Sequence, residues 1–258
     1  MASHSTDKET PVAAFGWDRR RARTLFWTHF PLALLHLPLA FAVIGLPGFM
    51  FFGWFALRSF RRLRHGKPVF ELYEHGFVDR RHGLVRRYRY EALAGYSLID
   101  QLWRFPFPFG FIRIQHLGLV TRIERRHFVV NEHLENIREC IALMQQGALR
   151  QRFAHARQAI DAGSRLQFGH LGMSSAGLHA GKRVLGWASF ADVRTGELRS
   201  RRRSEHALQI IDATGQPWEI VTRSGLTEPA LFIALLAERQ SAIDTHALLR
   251  DLCGMTPT

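Results

Sequence analysis

The chain has 258 residues, 47% hydrophobic and 22% charged, with 35 Lys and Arg against 22 Asp and Glu, a net charge of +13. Twenty Phe, six Trp and four Tyr at that apolar fraction can bury a core, which excludes wholesale disorder. The surplus predicts an anionic partner, lipid headgroup or nucleic acid; Lys8, Lys67 and Lys182 are the only lysines, so Arg dominates, and its guanidinium suits bidentate phosphate contacts.

Residues 1–23 read as a polar, basic tail. From Thr24 to Leu57 there is no Asp, Glu, Lys or Arg. As straight helix this run would reach about 51 Å, too long for one crossing of a hydrocarbon core of about 30 Å, and slightly short of two full spans. Pro31, Pro38 and Gly45-Leu46-Pro47-Gly48 supply breaks. Arg19, Arg20, Arg21 and Arg23 precede the run, and Arg58, Arg61, Arg62, Arg64 and Lys67 follow it. Basic residues favour the cytoplasmic side, so two basic flanks predict a membrane hairpin over 24–60 with both ends inside. His29 and His36, seven apart, share a helix face and are expected to pack rather than to bind metal.

After Gly66 the pattern changes to short strands. Pro68 to Tyr73 alternates, Glu74-His75-Gly76 turns into Phe77-Val78, and Gly83 to Tyr90 resumes the alternation. Trp103-Arg-Phe-Pro-Phe-Pro-Phe-Gly-Phe111 predicts a loop, because proline breaks a ladder; Trp103, Phe105, Phe107 and Phe109 would there contact a membrane or a partner, or tuck into the domain. Strands follow at 111–115 and 119–130. Leu134, Ile137, Ile141 and Met144 then recur at helical spacing, with Asn131 as the N-cap, and a second helical stretch runs from Leu149 to Ile160 and stops at Gly163.

The second half repeats this order, with strands from Arg165 to Thr222 and a closing helix that begins near Pro229. Gly76-Phe77 aligns with Gly177-Leu178, and Tyr90-x-x-Leu93 with Trp187-x-x-Phe190. A glycine-ended strand, a basic hairpin, an aromatic followed three residues later by an apolar residue, further strands and a terminal helix resemble the pleckstrin-homology-like domains of bacterial membrane proteins. More narrowly, the chain resembles an uncharacterised bacterial family in which a hydrophobic N-terminal segment precedes two such domains, over about residues 20–240. The resemblance implies an α+β fold: a transmembrane helical hairpin followed by two small PH-like barrel or sandwich domains, each closed by a C-terminal helix. The expected divisions are 1–23, 24–60, 66–146, 147–163 as helical linker, 164–245, and 246–258 as tail. One departure is Ser224-Gly225-Leu226-Thr227, where the family has an Asn before the last helix.

No GxGxxG, Walker, HExxH or GxSxG motif is present, so no catalytic residue is expected. Histidine pairs such as His75 with His82 and His127 with His133 lack a nearby third ligand, and Cys140 and Cys253 are far apart in no CxxC spacing. No metal, cofactor or disulfide is therefore expected, and the thiols fit a reducing compartment. Candidate headgroup contacts are Arg58, Arg61, Arg62, Arg64 and Lys67 after the apolar run, Arg80, Arg81, Arg86 and Arg87 about one hairpin, and Arg199, Arg201, Arg202 and Arg203 at another. The sequence thus predicts a non-catalytic, membrane-anchored binding or scaffold protein on the cytoplasmic face of a bacterial inner membrane, engaging anionic headgroups or a membrane-associated protein. Nucleic-acid binding through the Arg-rich hairpins is the rival reading, and an enzyme site assembled only in three dimensions is another.

Overall fold

The computed structural model describes residues 10–41, 46–64, 66–81, 83–107, 110–123, 126–199, 203–241 and 243–254, with backbone alone at 39–41, 103–107, 110–114 and 203. The chain divides into two compact units: Met1–Tyr73, Phe77–Arg87 and Glu132–Asn136 form the first, and Glu74–Gly76, Tyr88–Asn131 and Ile137–Thr258 the second.

Strands β1 (Ala13–Phe15), β2 (Phe70–Leu72), β3 (Gly76–Asp79) and β4 (Arg86–Arg89) lie in that order in one sheet, and β2 pairs antiparallel with both β1 and β3. Alternate positions bury Phe15, Phe70, Leu72 and Phe77, and the Phe70 and Phe77 rings stack at 5.4 Å. Helix α1 (Arg19–Phe41) starts where the Asp18 carboxylate accepts from the Arg21 backbone N–H at 2.9 Å, satisfying one of the unpaired first-turn donors. Helix α2 (Leu46–Arg64) returns antiparallel to it: Phe26 meets Phe60, His29 stacks on Phe55 and His36 approaches Phe52. Small residues Ala22, Ala33, Ala56 and Ser59 are buried on this pair.

In the second unit, β5 (Ser97–Phe107), β6 (Gly110–Ile123) and β7 (Arg126–Asn131) precede α3 (Ile137–Asp161). Then β8 (Leu166–Phe168), β9 (Leu171–Ser174), β10 (Gly177–Ala180) and β11 (Arg183–Gly186) make a four-stranded antiparallel sheet of order β11-β10-β9-β8. Strands β12 (Phe190–Arg199), β13 (Arg203–Asp212) and β14 (Pro217–Thr222) lead into α4 (Pro229–Arg239) and the short α5 (Thr245–Leu248). The hydrophobic core gathers Phe168, Leu171, Met173, Ile210, Phe232 and Leu236, with Ile160 of α3 packed into it.

These observations correct the sequence reading in several places. Among the described residues no helix is long and apolar enough to cross a membrane, so the transmembrane hairpin expected over 24–60 is not found. The reason lies in how the run folds. Only Leu46 to Leu57 of α2 is free of charge, about 18 Å of helix, before Arg58, Arg61, Arg62 and Arg64 follow in the same helix. Helix α1 takes up four arginines at its start, and its apolar part is diluted by His29, His36, Pro31 and Pro38. The tandem PH-like architecture is likewise replaced by antiparallel sheets with a few helices. Strands from both halves of the sequence share one six-stranded sheet, order β12-β13-β5-β6-β7 with β14 on β13, joined where Arg203, Ser204 and Glu205 face Trp103, Leu102 and Gln101.

The loop expected at 103–111 is strand through Phe107 and again from Gly110, and Phe109 lies outside the described residues. Among the described residues β5 beyond Trp103 pairs with β6 alone, the edge position in which a strand tolerates a proline such as Pro106. Asn131 ends β7 instead of capping a helix; α3 begins at Ile137, after Asn136 in the left-handed conformation (φ 49°). The two helical stretches around 137–144 and 149–160 are one continuous helix. Within the expected tail of 1–23 lie β1 and the first turn of α1.

Candidate functional site

The first unit carries an unusual surface on its two long helices. Along α1, Arg20, Arg23, Trp27, Phe30, Leu34 and Leu37 recur at intervals of three and four residues, and all six are exposed. Along α2, Leu46, Met50, Trp54, Leu57, Arg61 and Arg64 recur at the same intervals and are also exposed. Residues so spaced share a helix face. Each helix therefore presents an unburied apolar stripe that runs into two arginines. Trp27 is 60% exposed, Leu35 69%, Met50 65% and Trp54 59%, far from the burial such side chains find in a core. Because the helices are antiparallel, with Phe26 against Phe60, the N-terminal arginines of α1 and the C-terminal arginines of α2 stand at the same end of the pair. Arg19, Arg58 and Lys67 are exposed there too, and neither helix contains a carboxylate. The Arg64 guanidinium lies 4.7 Å over the Phe60 ring.

Beneath this collar the electrostatics are tighter. Arg62 is buried, its guanidinium 4.7 Å over the Trp17 ring, and burial together with Arg58 and Arg21 lowers its pKa to about 10. Arg21 binds the Glu132 carboxylate at 3.1 Å. His133 is half-buried; desolvation, then Arg62, Arg21 and Arg58, push its pKa down to about 4, so the ring is neutral at physiological pH. His29 and His36 hold their Nδ1 atoms 2.7 and 2.8 Å from the carbonyls of Leu25 and Leu32; His29 stacks on Phe55 and His36 is tilted against Phe52, a packing role.

The other arginines singled out in the sequence fare differently. Arg81 is clamped by Asp79 at 2.8 Å, its side chain 6% exposed and 5.3 Å over Phe70, so it is structural; the same holds for buried Arg62. Arg80 is engaged by Glu71 at 3.1 Å. Arg86 is half-buried and Arg87 exposed. Arg199 is exposed and paired with Glu197 at 2.6 Å. Arg201 and Arg202 lie outside the described residues, and Arg203 opens β13 opposite Trp103. The stripes through Trp27 and Trp54 were not singled out, because a run without charge gives no contrast between a buried face and an exposed one.

Arrangements that could support catalysis are sparse. Ser174 Oγ lies 2.8 Å from His179 Nε2, the distance of a nucleophile and its base, but Oγ also accepts from the Ala176 N–H as a turn-forming hydroxyl does. The charged neighbour of His179 is Arg165, which with burial lowers its pKa and makes it a poorer proton acceptor. A concavity of about 390 Å³ beside His170, Gly181 and Glu219 is open to solvent, and Glu219 is engaged by Arg183. Among the described residues no three His, Cys, Asp or Glu side chains converge as a metal site.

The model of a protein family described as "Family of unknown function (DUF6585)" matches residues 25–209, from within α1 through α2 and the shared sheet into β13. No curated protein matches the chain.

Proposed function

This chain belongs to DUF6585, a family of unknown function, and we propose from its own residues that it is a non-catalytic protein that binds anionic lipid headgroups through the exposed face of α1 and α2. The observation that carries this reading is the pair of exposed stripes, each apolar for four positions and ending in two arginines. An amphipathic surface of this kind suits the boundary between headgroups and acyl chains, where apolar side chains leave water while guanidiniums stay with phosphate. The helices would lie along that boundary. Arg19, Arg20, Arg23, Arg58, Arg61, Arg64 and Lys67 each contribute about 1 kcal/mol of attraction to an anionic surface. Cys140 and Cys253 are buried thiols, which suit a reducing compartment and support the cytoplasmic leaflet as the surface bound. Nucleic acid would use the same cations but would leave the aliphatic side chains Leu34, Leu37, Leu46 and Met50 in water.

The test is vesicle flotation of the full chain with phosphatidylcholine alone and with added phosphatidylglycerol. Flotation is expected with the anionic vesicles and not the neutral ones. Changing Arg20, Arg23, Arg61 and Arg64 to Ala is expected to weaken it by about two orders of magnitude or more, with the far-UV circular dichroism unchanged. Equal flotation on both vesicles, or none on either, would overturn the reading, as would tight, steeply salt-dependent binding to DNA or RNA without vesicle binding.

A further inference from the structure

The connection from β3 to β4, in the first unit, carries side chains unlike those of an ordinary turn. Turn positions favour Gly, Pro, Asn, Asp and Ser, yet Gly83 is followed by Leu84 and Val85. They are 62% and 55% exposed. Outside α1 and α2, they are the only adjacent pair of large apolar side chains that the described residues leave in water. Their base is firmly held. The Asp79 carboxylate accepts from the Arg81 backbone N–H at 2.9 Å and from Arg81 Nε and Nη2 at 2.9 and 2.8 Å, and both side chains are 6% exposed. The Arg80 backbone N–H donates to the Val69 carbonyl at 2.8 Å, and the Arg80 guanidinium is engaged by Glu71. The Gly83 N–H then closes a turn on the Arg80 carbonyl at 3.3 Å, with Gly83 in the left-handed conformation (φ 77°) that glycine adopts without strain.

Leu84 and Val85 follow directly on this fixed turn, so little chain entropy remains to be lost when they meet a partner. The surrounding charge identifies that partner. Between Asp79 and Glu91 the chain has no carboxylate, and Arg86 and Arg87 come immediately after the apolar pair, Arg86 half-buried and Arg87 exposed. Two aliphatic side chains at a tip, with guanidiniums just behind them, are complementary to a surface that is apolar below and anionic above. Nucleic acid would meet the arginines but leave the aliphatic pair in water. A second copy of the same tip would bring arginines together and fits less well.

We infer that the Gly83-Leu84-Val85 tip is a shallow anchor for an anionic lipid bilayer, with Leu84 and Val85 set among the outermost acyl carbons and Arg86 and Arg87 near phosphate depth. The irregular backbone of the turn keeps it within the hydrated headgroup layer, since hydrocarbon offers its polar groups no partners. This rests on the proposed binding of anionic lipid, adds a contact outside the two helices, and is tested separately from it.

The experiment places an environment-sensitive fluorophore on the full chain at Leu84→Cys, with the same label at Ala213→Cys, an exposed turn position, as reference. Cys140 and Cys253 are buried and do not compete for label. Binding is read by flotation of the unlabelled parent chain, and depth by emission shift and by quenching from brominated acyl chains. Expected are a blue shift and quenching at position 84 with vesicles containing phosphatidylglycerol, and neither at position 213. An unlabelled Leu84→Glu/Val85→Glu variant, checked for folding by circular dichroism, is expected to bind those vesicles about tenfold more weakly or worse. Flotation with an unchanged probe at position 84, or undiminished binding by the double variant, overturns the anchor and leaves the helical reading standing. Absence of flotation by the parent chain overturns both. A blue shift that rises with protein concentration in the absence of vesicles overturns the anchor in favour of a second copy.

Discussion

Gly76 and Gly177 are held to the same backbone approach in two different sheets. A Cβ on Gly76 would stand 2.1 Å from the carbonyl oxygen of Tyr88, and a Cβ on Gly177 would stand 2.1 Å from that of Leu185. Tyr88 and Leu185 each lie two residues before the aromatic, Tyr90 or Trp187, that opens a short helical turn into a long strand. No other residue type fits at either place, because the obstacle is main chain and cannot swing aside.

Gly76→Ala and Gly177→Ala should therefore each lower stability by about 1–3 kcal/mol. Gly53→Ala, in α2 with nothing near its Cβ position, should instead raise it by about 0.5–1 kcal/mol. Urea unfolding of the three variants checks the contrast; a neutral Gly177→Ala would contradict it.

Asp100 and Arg223 form a buried ion pair through Arg223 Nη1, at 2.9 Å with side chains 10% and 3% exposed, while Arg223 Nε is buried with no hydrogen-bond acceptor. Removing the carboxylate strands a cation. Asp100→Asn is expected to cost about 3–5 kcal/mol, whereas Arg194→Gln, which breaks an exposed pair, should stay within about 0.5 kcal/mol. Thermal midpoints of the two variants decide this.

The depressed pKa of His133 links the stability of the fold to pH. The unfolded imidazole takes up a proton near pH 6.5, and the folded one only near pH 4. Stability contributed by neutral His133 is thus fully present above pH 6.5 and is lost as pH falls toward 4. Solvent screening of a partly exposed ring keeps this to about 1–2 kcal/mol. His133→Gln should flatten the fall in thermal midpoint between pH 7 and pH 4 relative to the parent chain; parallel profiles would refute the linkage.

Burial pushes the Cys253 thiol up to about 12, and Cys140 is wholly enclosed. Neither should react with a disulfide reagent at pH 8 in the native state, and both should react once the chain is unfolded. One fast equivalent in the native protein would show that one of these sites opens.

Local patterns were legible where a physical rule acts over a few residues. Alternation marked β2 and β4, the repeated order of elements marked the strands of the second half, three-and-four spacing marked α3, and Pro229 sits at the start of α4 as expected. The landmark glycines and aromatics were readable because the close approach leaves no freedom of residue type. What was not legible depends on partners distant in sequence. Asn131 looks like a cap, yet five residues later Asn136 takes the left-handed turn, as Glu228 does before α4. Pro106 looks like a strand breaker in sequence, yet among the described residues β5 beyond Trp103 pairs with β6 alone, the edge position where a missing donor is tolerated. The guanidiniums of Arg62 and Arg81 are indistinguishable from their neighbours in sequence, and only Trp17 and Asp79 turn them inward. A charge-free run, finally, looks the same whether a hydrocarbon core, a protein interior or water meets each face.

The junction of β5 with β13 sets an order in which the protein can form. Trp103 pairs with Arg203, one hundred positions further along the chain, so no part of that pairing exists while the ribosome is still making α3 or β8 to β11. During synthesis the hairpin of β5 and β6 waits with its outer edge open, exposed to strand addition by other nascent chains. Closing so long a loop also raises the contact order and slows the final step of folding. A chain terminated before residue 203 would keep that edge permanently, and aggregation during expression is the expected outcome.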